Sequence, residues 1–175
     1  MGLVRMSIQT VVVSNGVTSS MVVLRPIVPV DPEHPVRLPI RIGFVESSSI
    51  GMGVTAPKHD RPMTHDLLAK TISTLGARVT SIVIDRVEGS TFYAKINLTT
   101  DSGDALSLDS RPSDALALAV RTDTPIFTTN EVLDTASCPD FHEMDEQSKR
   151  EELERFSDFV SNLNPEDFST GPTTD

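Results

Sequence analysis

The chain has 175 residues, of which 38% are apolar and 23% are charged, and this balance predicts a folded core rather than general disorder. The formal net charge is −10: residues 141–175 hold ten acidic and three basic side chains, and residues 1–140 hold fifteen and twelve. Neither part is basic, which argues against a large phosphate-binding face, and a lone cysteine, Cys138, excludes an intrachain disulfide and a cysteine zinc site.

The N-terminal part of the chain predicts antiparallel strands. Two β-rich runs, Ile8–Val13 and Met21–Leu24, flank the turn signal Asn15-Gly16 and predict a hairpin. Four prolines between residues 26 and 35 predict an irregular loop, and Arg37–Ile42 then predicts a short strand.

Two helices follow these strands. Phe44–Val54 has Glu46 in its first turn, where an acid is favoured, although serines and two glycines weaken the helical tendency. The second helix is predicted to begin with Thr64 as its N-cap and to stop at Gly76. Its apolar stripe has the i, i+4, i+7 spacing of a helix and consists of Leu68, Ile72 and Leu75.

The middle of the chain predicts a meander and a buried helix. Val79–Val87, Thr91–Thr99 and Ala105–Asp109 are separated by turns, and apolar and polar residues alternate along the second and third runs. Ser113–Arg121 has an unbroken apolar middle and predicts a helix buried almost all round. Another short strand is predicted at Pro125–Thr128, followed by a short helix capped by Asn130.

Together these elements predict an α+β domain over residues 1–140, with a largely antiparallel sheet packed against a few helices. After Pro139 the composition changes, and residues 141–175 are predicted to form an acidic helical tail with a disordered end. Residues 143–163 carry a narrow apolar seam, suited to docking on a partner protein or on the domain itself.

Four segments, in order and spacing, resemble the bifunctional nuclease family. They are Leu38–Gly43 followed by Glu46, Arg61–Leu68, Gly89–Ala94, and Asp109–Arg121 followed by Pro125-Ile126. The last segment is the most specific, and the resemblance covers about residues 5–138. It implies an α+β fold, a tendency to form homo-oligomers, and nuclease activity on DNA and RNA.

Polar side chains at the ends of predicted elements supply the candidate chemistry. Hydrolysis of a phosphodiester needs an activated water and stabilisation of charge at the phosphate, which imidazole, guanidinium and metal-bound carboxylates provide. The candidates for acid–base or phosphate-binding roles are His65, Asp66, Arg61 and Arg111. The candidate ligands for a divalent metal, Mg²⁺ or Mn²⁺, are Glu46, Asp66, Asp109 and Asp114.

The same residues also have a purely structural interpretation. Thr64-His65-Asp66 contains residue types that favour the start of a helix. Arg111-Pro112-Ser113-Asp114 is similar to another helix start, in which Arg111 would pair with Asp109 or Asp114. In this interpretation the only role of Glu46 is a favourable electrostatic interaction with the positive N-terminal end of its helix.

Two functions therefore stay open. The first is a nuclease that hydrolyses phosphodiester bonds of DNA or RNA with divalent-metal assistance. The second is a non-catalytic, homo-oligomeric protein-interaction module that uses the acidic tail. Six polar residues distinguish the two functions: Glu46, His65, Asp66, Asp109, Arg111 and Asp114. A nuclease requires at least three of them in one open cleft. An interaction module predicts that they are scattered or buried in pairs.

The cellular location is predicted from two further features of the sequence. A single cysteine fits a reducing compartment, and no stretch approaches the roughly 18 consecutive apolar residues of a membrane span. We expect a cytoplasmic protein without membrane contact. No glycine-rich phosphate loop and no serine nucleophile elbow is present, so kinase, dehydrogenase and serine-hydrolase functions have no support.

Overall fold

The structure is a computed structural model that describes residues 2–14, 19–55 and 61–140. Within these residues the chain forms eight strands and four helices. In chain order they are β1 (Leu3–Val12), β2 (Ser20–Pro26), β3 (Val36–Ile42), α1 (Phe44–Thr55), α2 (Thr64–Thr74), β4 (Ala77–Glu88), β5 (Thr91–Thr100), β6 (Ala105–Ser110), α3 (Pro112–Thr122), β7 (Ile126–Thr129), α4 (Asn130–Ala136) and β8 (Cys138–Pro139).

The strands form one sheet in the order β6-β5-β4-β7-β1-β2-β3-β8. The hairpin of β1 with β2 and the meander of β4, β5 and β6 are antiparallel, as the sequence predicts. β7 joins these two halves, because it pairs antiparallel with β1 and parallel with β4. The predicted α+β class with a largely antiparallel sheet is therefore confirmed.

Helix α3 lies at the centre of the core. It packs against β4 and β5, and both α1 and α2 pack against it. Ala115 to Ala119 are at most 2% exposed, which confirms the predicted buried helix. Burial of a leucine side chain contributes roughly 1.5–3 kcal/mol, so Leu116 and Leu118 hold α3 in place. The same packing fixes the polar residues at the start of α3.

Two predicted helix caps are wrong by one residue. The N-cap of α2 is Met63 rather than Thr64, and the Met63 N–H donates to Asp66 Oδ2 at 2.9 Å. The N-cap of α4 is Thr129 rather than Asn130, because the Thr129 hydroxyl accepts from the Val132 N–H at 3.3 Å. The predicted stop at Gly76 is confirmed by its positive φ of 72°, which glycine adopts without steric cost.

Helix α1 forms despite its serines and glycines. The hydroxyls of Ser47 and Ser48 both donate to the Phe44 carbonyl at 2.8 Å, so the helix itself uses these polar groups. Gly53 lies where α1 approaches α3, and a Cβ there would meet the side chains of Val120 and Arg121. This close approach explains why a glycine stands in the helix.

The chain divides into two compact units. The first consists of Met1–Val30 and Val36–Cys138, and the second of Asp31–Pro35 and Pro139–Asp175. In the described part of the second unit, the Asp140 N–H donates to the Pro35 carbonyl at 2.7 Å, and His34 Nδ1 lies 3.0 Å from Asp31 Oδ2. The predicted Asn15-Gly16 turn and the acidic tail lie outside the described residues.

None of the helices in the described ranges is both long enough and apolar enough to cross a membrane.

Candidate functional site

The guanidinium of Arg111, the N-cap residue of α3, lies at the centre of a group of polar side chains. Its Nε donates to Asp114 Oδ2 at 2.8 Å and its Nη2 to Asp114 Oδ1 at 3.2 Å, a bidentate contact within the first turn. Its Nη1 donates to Glu46 Oε1 at 3.0 Å. Arg111 therefore links the first turn of α1 to the first turn of α3.

His65 brings α2 into the same group. Its Nε2 lies 3.3 Å from Asp114 Oδ1, the oxygen that also accepts from Arg111, and its side chain is only 15% exposed. A carboxylate at this distance orients the imidazole ring. We call Glu46, His65, Arg111 and Asp114 the polar cluster.

The charges in the polar cluster support one another. Burial raises the pKa of Asp114, but hydrogen bonds and charge from Arg111 and His65 outweigh it and hold that pKa below its ordinary value. The carboxylates of Asp114 and then Glu46 raise the pKa of Arg111. The Asp114 carboxylate and the Arg111 guanidinium are therefore both charged at neutral pH.

An open cavity of about 300 Å³ lies beside the polar cluster, and Glu46 and Arg111 form part of its wall. The other lining residues come from the end of β3, the β4–β5 turn and the start of β5, and the start of α3: Ile40, Arg41, Ile42, Gly43, Ser90, Thr91, Phe92, Pro112 and Ser113. Arg41 has a fixed partner, since its Nη2 donates to Ser19 Oγ at 2.7 Å.

Gly43 explains how Glu46 reaches Arg111. A Cβ at position 43 would collide with Oε2 of Glu46, so the absence of a side chain lets the carboxylate fold back over the start of α1. Gly43 also lines the cavity. The sequence segment that ends in Gly43 and continues to Glu46 therefore builds one wall of the site.

Asp66 lies outside the polar cluster, in a second group. Its Oδ1 accepts from Arg121 Nε at 2.6 Å, and Arg121 Nη1 donates to the carbonyls of Ser49 at 3.0 Å and Ala117 at 2.8 Å. Arg121 is 8% exposed and connects α1, α2 and α3. We call Asp66 and Arg121 the helix clamp, which fixes the position of α2 and hence of His65.

Sequence reasoning missed the role of Arg121. A signal was present, because a cation at the end of a helix that is otherwise buried all round needs a partner of opposite charge. The sequence alone offered several acids and gave no reason to choose Asp66.

Two further candidates lie apart from the polar cluster. Asp109 is exposed on β6, where it stands opposite Lys95 in the register. Arg61 is exposed and makes no ion pair within the described ranges. Of the seven residues singled out from the sequence, the structure brings four into one group.

The predicted metal ligands do not form one coordination group. In the residues that the structure describes, no three His, Cys, Asp or Glu side chains are arranged to hold a metal ion. Glu46 and Asp114 both accept from Arg111, Asp66 pairs with Arg121, and Asp109 makes no ion pair with any other residue in the described ranges. These residues, as placed, do not fit a cation held by protein ligands alone.

Comparisons with known proteins identify one family model and two relatives. A family model of the bifunctional nuclease domain matches residues 28–140, more than half of the chain. Two relatives from Mycobacterium tuberculosis, the uncharacterized proteins MT1877 (strain CDC 1551) and Rv1829 (strain H37Rv), are each 32% identical over 135 residues. Each alignment covers 75% of this chain and 80% of the relative. The matched domain contains the whole polar cluster.

Proposed function

The chain belongs to the bifunctional nuclease family, and on that premise we propose that it hydrolyses phosphodiester bonds of DNA or RNA at the polar cluster. One observation carries the proposal: Glu46 and Arg111 line an open cavity, and hydrogen bonds join Asp114 to Arg111 and His65 to Asp114 at the first turns of three helices. Two of the six residues named from the sequence thus line the cavity itself, fewer than the three expected of a nuclease, and two more are connected to them. Residues that are far apart in sequence and form one connected group at a cavity are typical of an active site.

Arg111 is proposed to bind the phosphate. A guanidinium has five N–H donors, and the three hydrogen bonds to Asp114 and Glu46 leave two for a ligand. The side chain is 65% exposed, so those donors are accessible, while the carboxylates hold the plane of the guanidinium fixed. A preorganised cation of this kind stabilises the charge that develops on phosphate oxygens in the transition state.

His65 and Glu46 are proposed to handle protons. Glu46 lines the cavity and is placed to accept a proton from water as the water oxygen bonds to phosphorus. The bond from phosphorus to the leaving oxygen then breaks, and that oxygen takes up a proton that the imidazolium form of His65 donates. Imidazole exchanges protons near neutral pH, and Asp114 orients His65 for this role.

We propose that a divalent metal ion assists the reaction, and cleavage assays with Mg²⁺, Mn²⁺ or EDTA test this. With His65 neutral, the polar cluster has a formal charge of −1 on a chain of charge −10, so an approaching phosphate gains little attraction from the protein. A cation that arrives with the phosphates would lower that repulsion.

The test is cleavage of end-labelled single- and double-stranded DNA and RNA with Mg²⁺, Mn²⁺ or EDTA. The site variant is Arg111→Gln/Asp114→Asn, and the matched control is Arg78→Gln/Asp134→Asn, which makes the same charge changes at exposed positions. We expect activity to co-purify with the wild type and control, and to be lost in the site variant while its circular dichroism is unchanged. Equal cleavage by both folded variants would refute the proposed site, and no cleavage by wild type would refute the nuclease.

We also propose that the chain forms a homo-oligomer. Among the described residues β6 is an edge strand of the sheet, and it exposes Leu106 and Leu108, at 47% and 48%. An edge strand of this kind favours pairing with another chain. Light scattering should give a multiple of the chain mass for wild type and a monomer for Leu106→Lys/Leu108→Lys. A monomeric wild type would exclude this proposal.

A further inference from the structure

We propose that the cavity beside the polar cluster is a subsite for one unpaired base of a single-stranded nucleic acid. In this subsite the base stacks on Phe92, while Arg41 and Arg111 hold the neighbouring phosphates. The inference rests on the proposed nuclease function and deepens it by naming the substrate class, single-stranded rather than duplex.

The shape and lining of the cavity fit a base. About 300 Å³ is at the small end of the range for ligand pockets, enough for one base and part of its sugar. Phe92 is half-buried and packs against the core, which keeps its ring fixed for stacking. A base inside a duplex is stacked on both sides, so it enters such a pocket only after it leaves the helix.

The charge around the cavity fits a phosphate backbone. Its wall carries two arginines, Arg41 and Arg111, and one acid, Glu46, and with Asp114, which pairs with Arg111, these charges balance. A phosphate therefore meets no net negative charge from these four residues, although the whole chain has a charge of −10. Arg41 is held by Ser19 and Arg111 by Glu46 and Asp114, which places both cations before a ligand arrives. The exposed Ser90 and Thr91 add hydroxyl groups for the polar edge of a base or its sugar.

The test measures binding rather than cleavage. The fluorescence anisotropy of labelled 12-nucleotide DNA and RNA is titrated in EDTA with wild type, Phe92→Leu and Phe127→Leu. Phe127 is another half-buried strand phenylalanine, and it lies outside the cavity lining. A second probe of the same length has abasic sites at every position, and a third is the matching duplex. Arg41→Gln changes an exposed residue, so it tests the cavity without disturbing the core, and Arg78→Gln is its control.

We expect wild type to bind the single strand roughly tenfold or more tightly than the abasic strand and the duplex, since stacking on an aromatic ring is worth about that factor per base. Phe92→Leu should remove the preference over the abasic strand, and Phe127→Leu should keep it. Arg41→Gln should weaken binding of both single strands and reduce its salt dependence, and Arg78→Gln should not.

The outcomes separate this inference from the nuclease proposal. Cleavage by wild type with equal affinity for single-stranded, abasic and duplex probes would overturn the subsite and leave the nuclease standing. A base-dependent affinity that vanishes in Phe92→Leu without any cleavage would support the subsite and remove the nuclease. Unchanged binding in both Phe92→Leu and Arg41→Gln would overturn the subsite whether or not cleavage occurs.

Discussion

Arg111 and Glu46 lie 65 positions apart in the chain, yet Nη1 of Arg111 donates to Oε1 of Glu46 at 3.0 Å. The contact spans from the start of α3 to the start of α1, and both side chains line the same cavity. It gives the guanidinium a fixed direction that its bidentate contact with Asp114 alone would not determine. The absence of a side chain at Gly43 leaves the room that this placement of Glu46 needs.

Gly43→Ala should lower activity without unfolding the domain. The added Cβ would collide with Oε2 of Glu46, and the flexible carboxylate would move away at little structural cost. A charge-assisted hydrogen bond contributes about 1.5 kcal/mol, which corresponds to a fall of roughly tenfold in the cleavage rate. Steady-state cleavage with a melting curve checks this, and Gly51→Ala, where a Cβ meets nothing within 4 Å, is the control. Full activity in Gly43→Ala would mean that Glu46 has no part in the reaction.

The two glycines of α1 should respond oppositely to alanine. At Gly53 a Cβ would meet Val120 and the clamped Arg121, so Gly53→Ala should destabilise the fold by about 1–3 kcal/mol through overpacking. At Gly51 there is space, and Gly51→Ala should be neutral or stabilise by about 0.5–1 kcal/mol, because alanine favours helix. Urea denaturation of both variants measures the difference. Equal stabilities would show that α1 and α3 do not approach as described.

Arg121→Met should destabilise the fold because it removes the ion pair with Asp66 and the hydrogen bonds from the guanidinium to two helix carbonyls. Breaking a fully buried pair costs about 3–5 kcal/mol, and we expect about 2 kcal/mol here because Asp66 is partly exposed. The control is Arg86→Met, which breaks the exposed pair with Glu88 and should cost less than about 1 kcal/mol. A loss no larger than that of the control would show that the helix clamp does not hold the three helices.

Stability should depend on pH through Asp114. Burial raises its pKa, but Arg111 and His65 outweigh burial and hold it below the ordinary value of about 4. A depressed folded pKa gives stability that is present above the unfolded pKa and is lost as the pH falls through the folded pKa. Asp114→Asn should therefore be less stable than wild type at pH 7, and this deficit should shrink below about pH 4.

Urea midpoints between pH 3 and pH 7 measure that deficit. Asp134→Asn, an exposed position on α4, makes the same substitution away from the polar cluster and should show no comparable deficit. A deficit for Asp114→Asn that is the same at pH 3 and pH 7 would show that the ion pairs of Asp114 do not stabilise the fold.

Local patterns predicted most of the fold. The alternation along β5 predicted that Ala94, Ile96 and Leu98 face the core, and all three are buried. The parallel pairing of β7 with β4 was not predictable, because strand residues show burial and not the identity of the neighbouring strand. The N-caps at Met63 and Thr129 were predicted one residue too late, because the next residues, Thr64 and Asn130, are of types that favour the cap position.

The sequence identified the residues of the polar cluster, but it predicted only some of the contacts between them. The contact of Arg111 with Asp114 spans three positions and was one of two pairings expected from spacing. The contacts to Glu46 and His65 span 65 and 49 positions and depend on how three helices pack. The pairing of Arg121 with Asp66 spans 55 positions and depends on the same packing of helices.

The most direct test of the polar cluster as the nuclease site is the single-turnover rate of cleavage by His65→Gln. His65 can be changed alone, because the helix clamp, rather than the imidazole, fixes α2. General acid–base catalysis contributes about 10²–10⁴-fold, so we predict a rate at least roughly a hundredfold below wild type with the same melting temperature. His34→Gln, at an exposed histidine that pairs with Asp31, should keep the wild-type rate. A folded His65→Gln variant that cleaves at the wild-type rate would contradict the proposed role of His65 and, with it, the assignment of catalysis to this cluster.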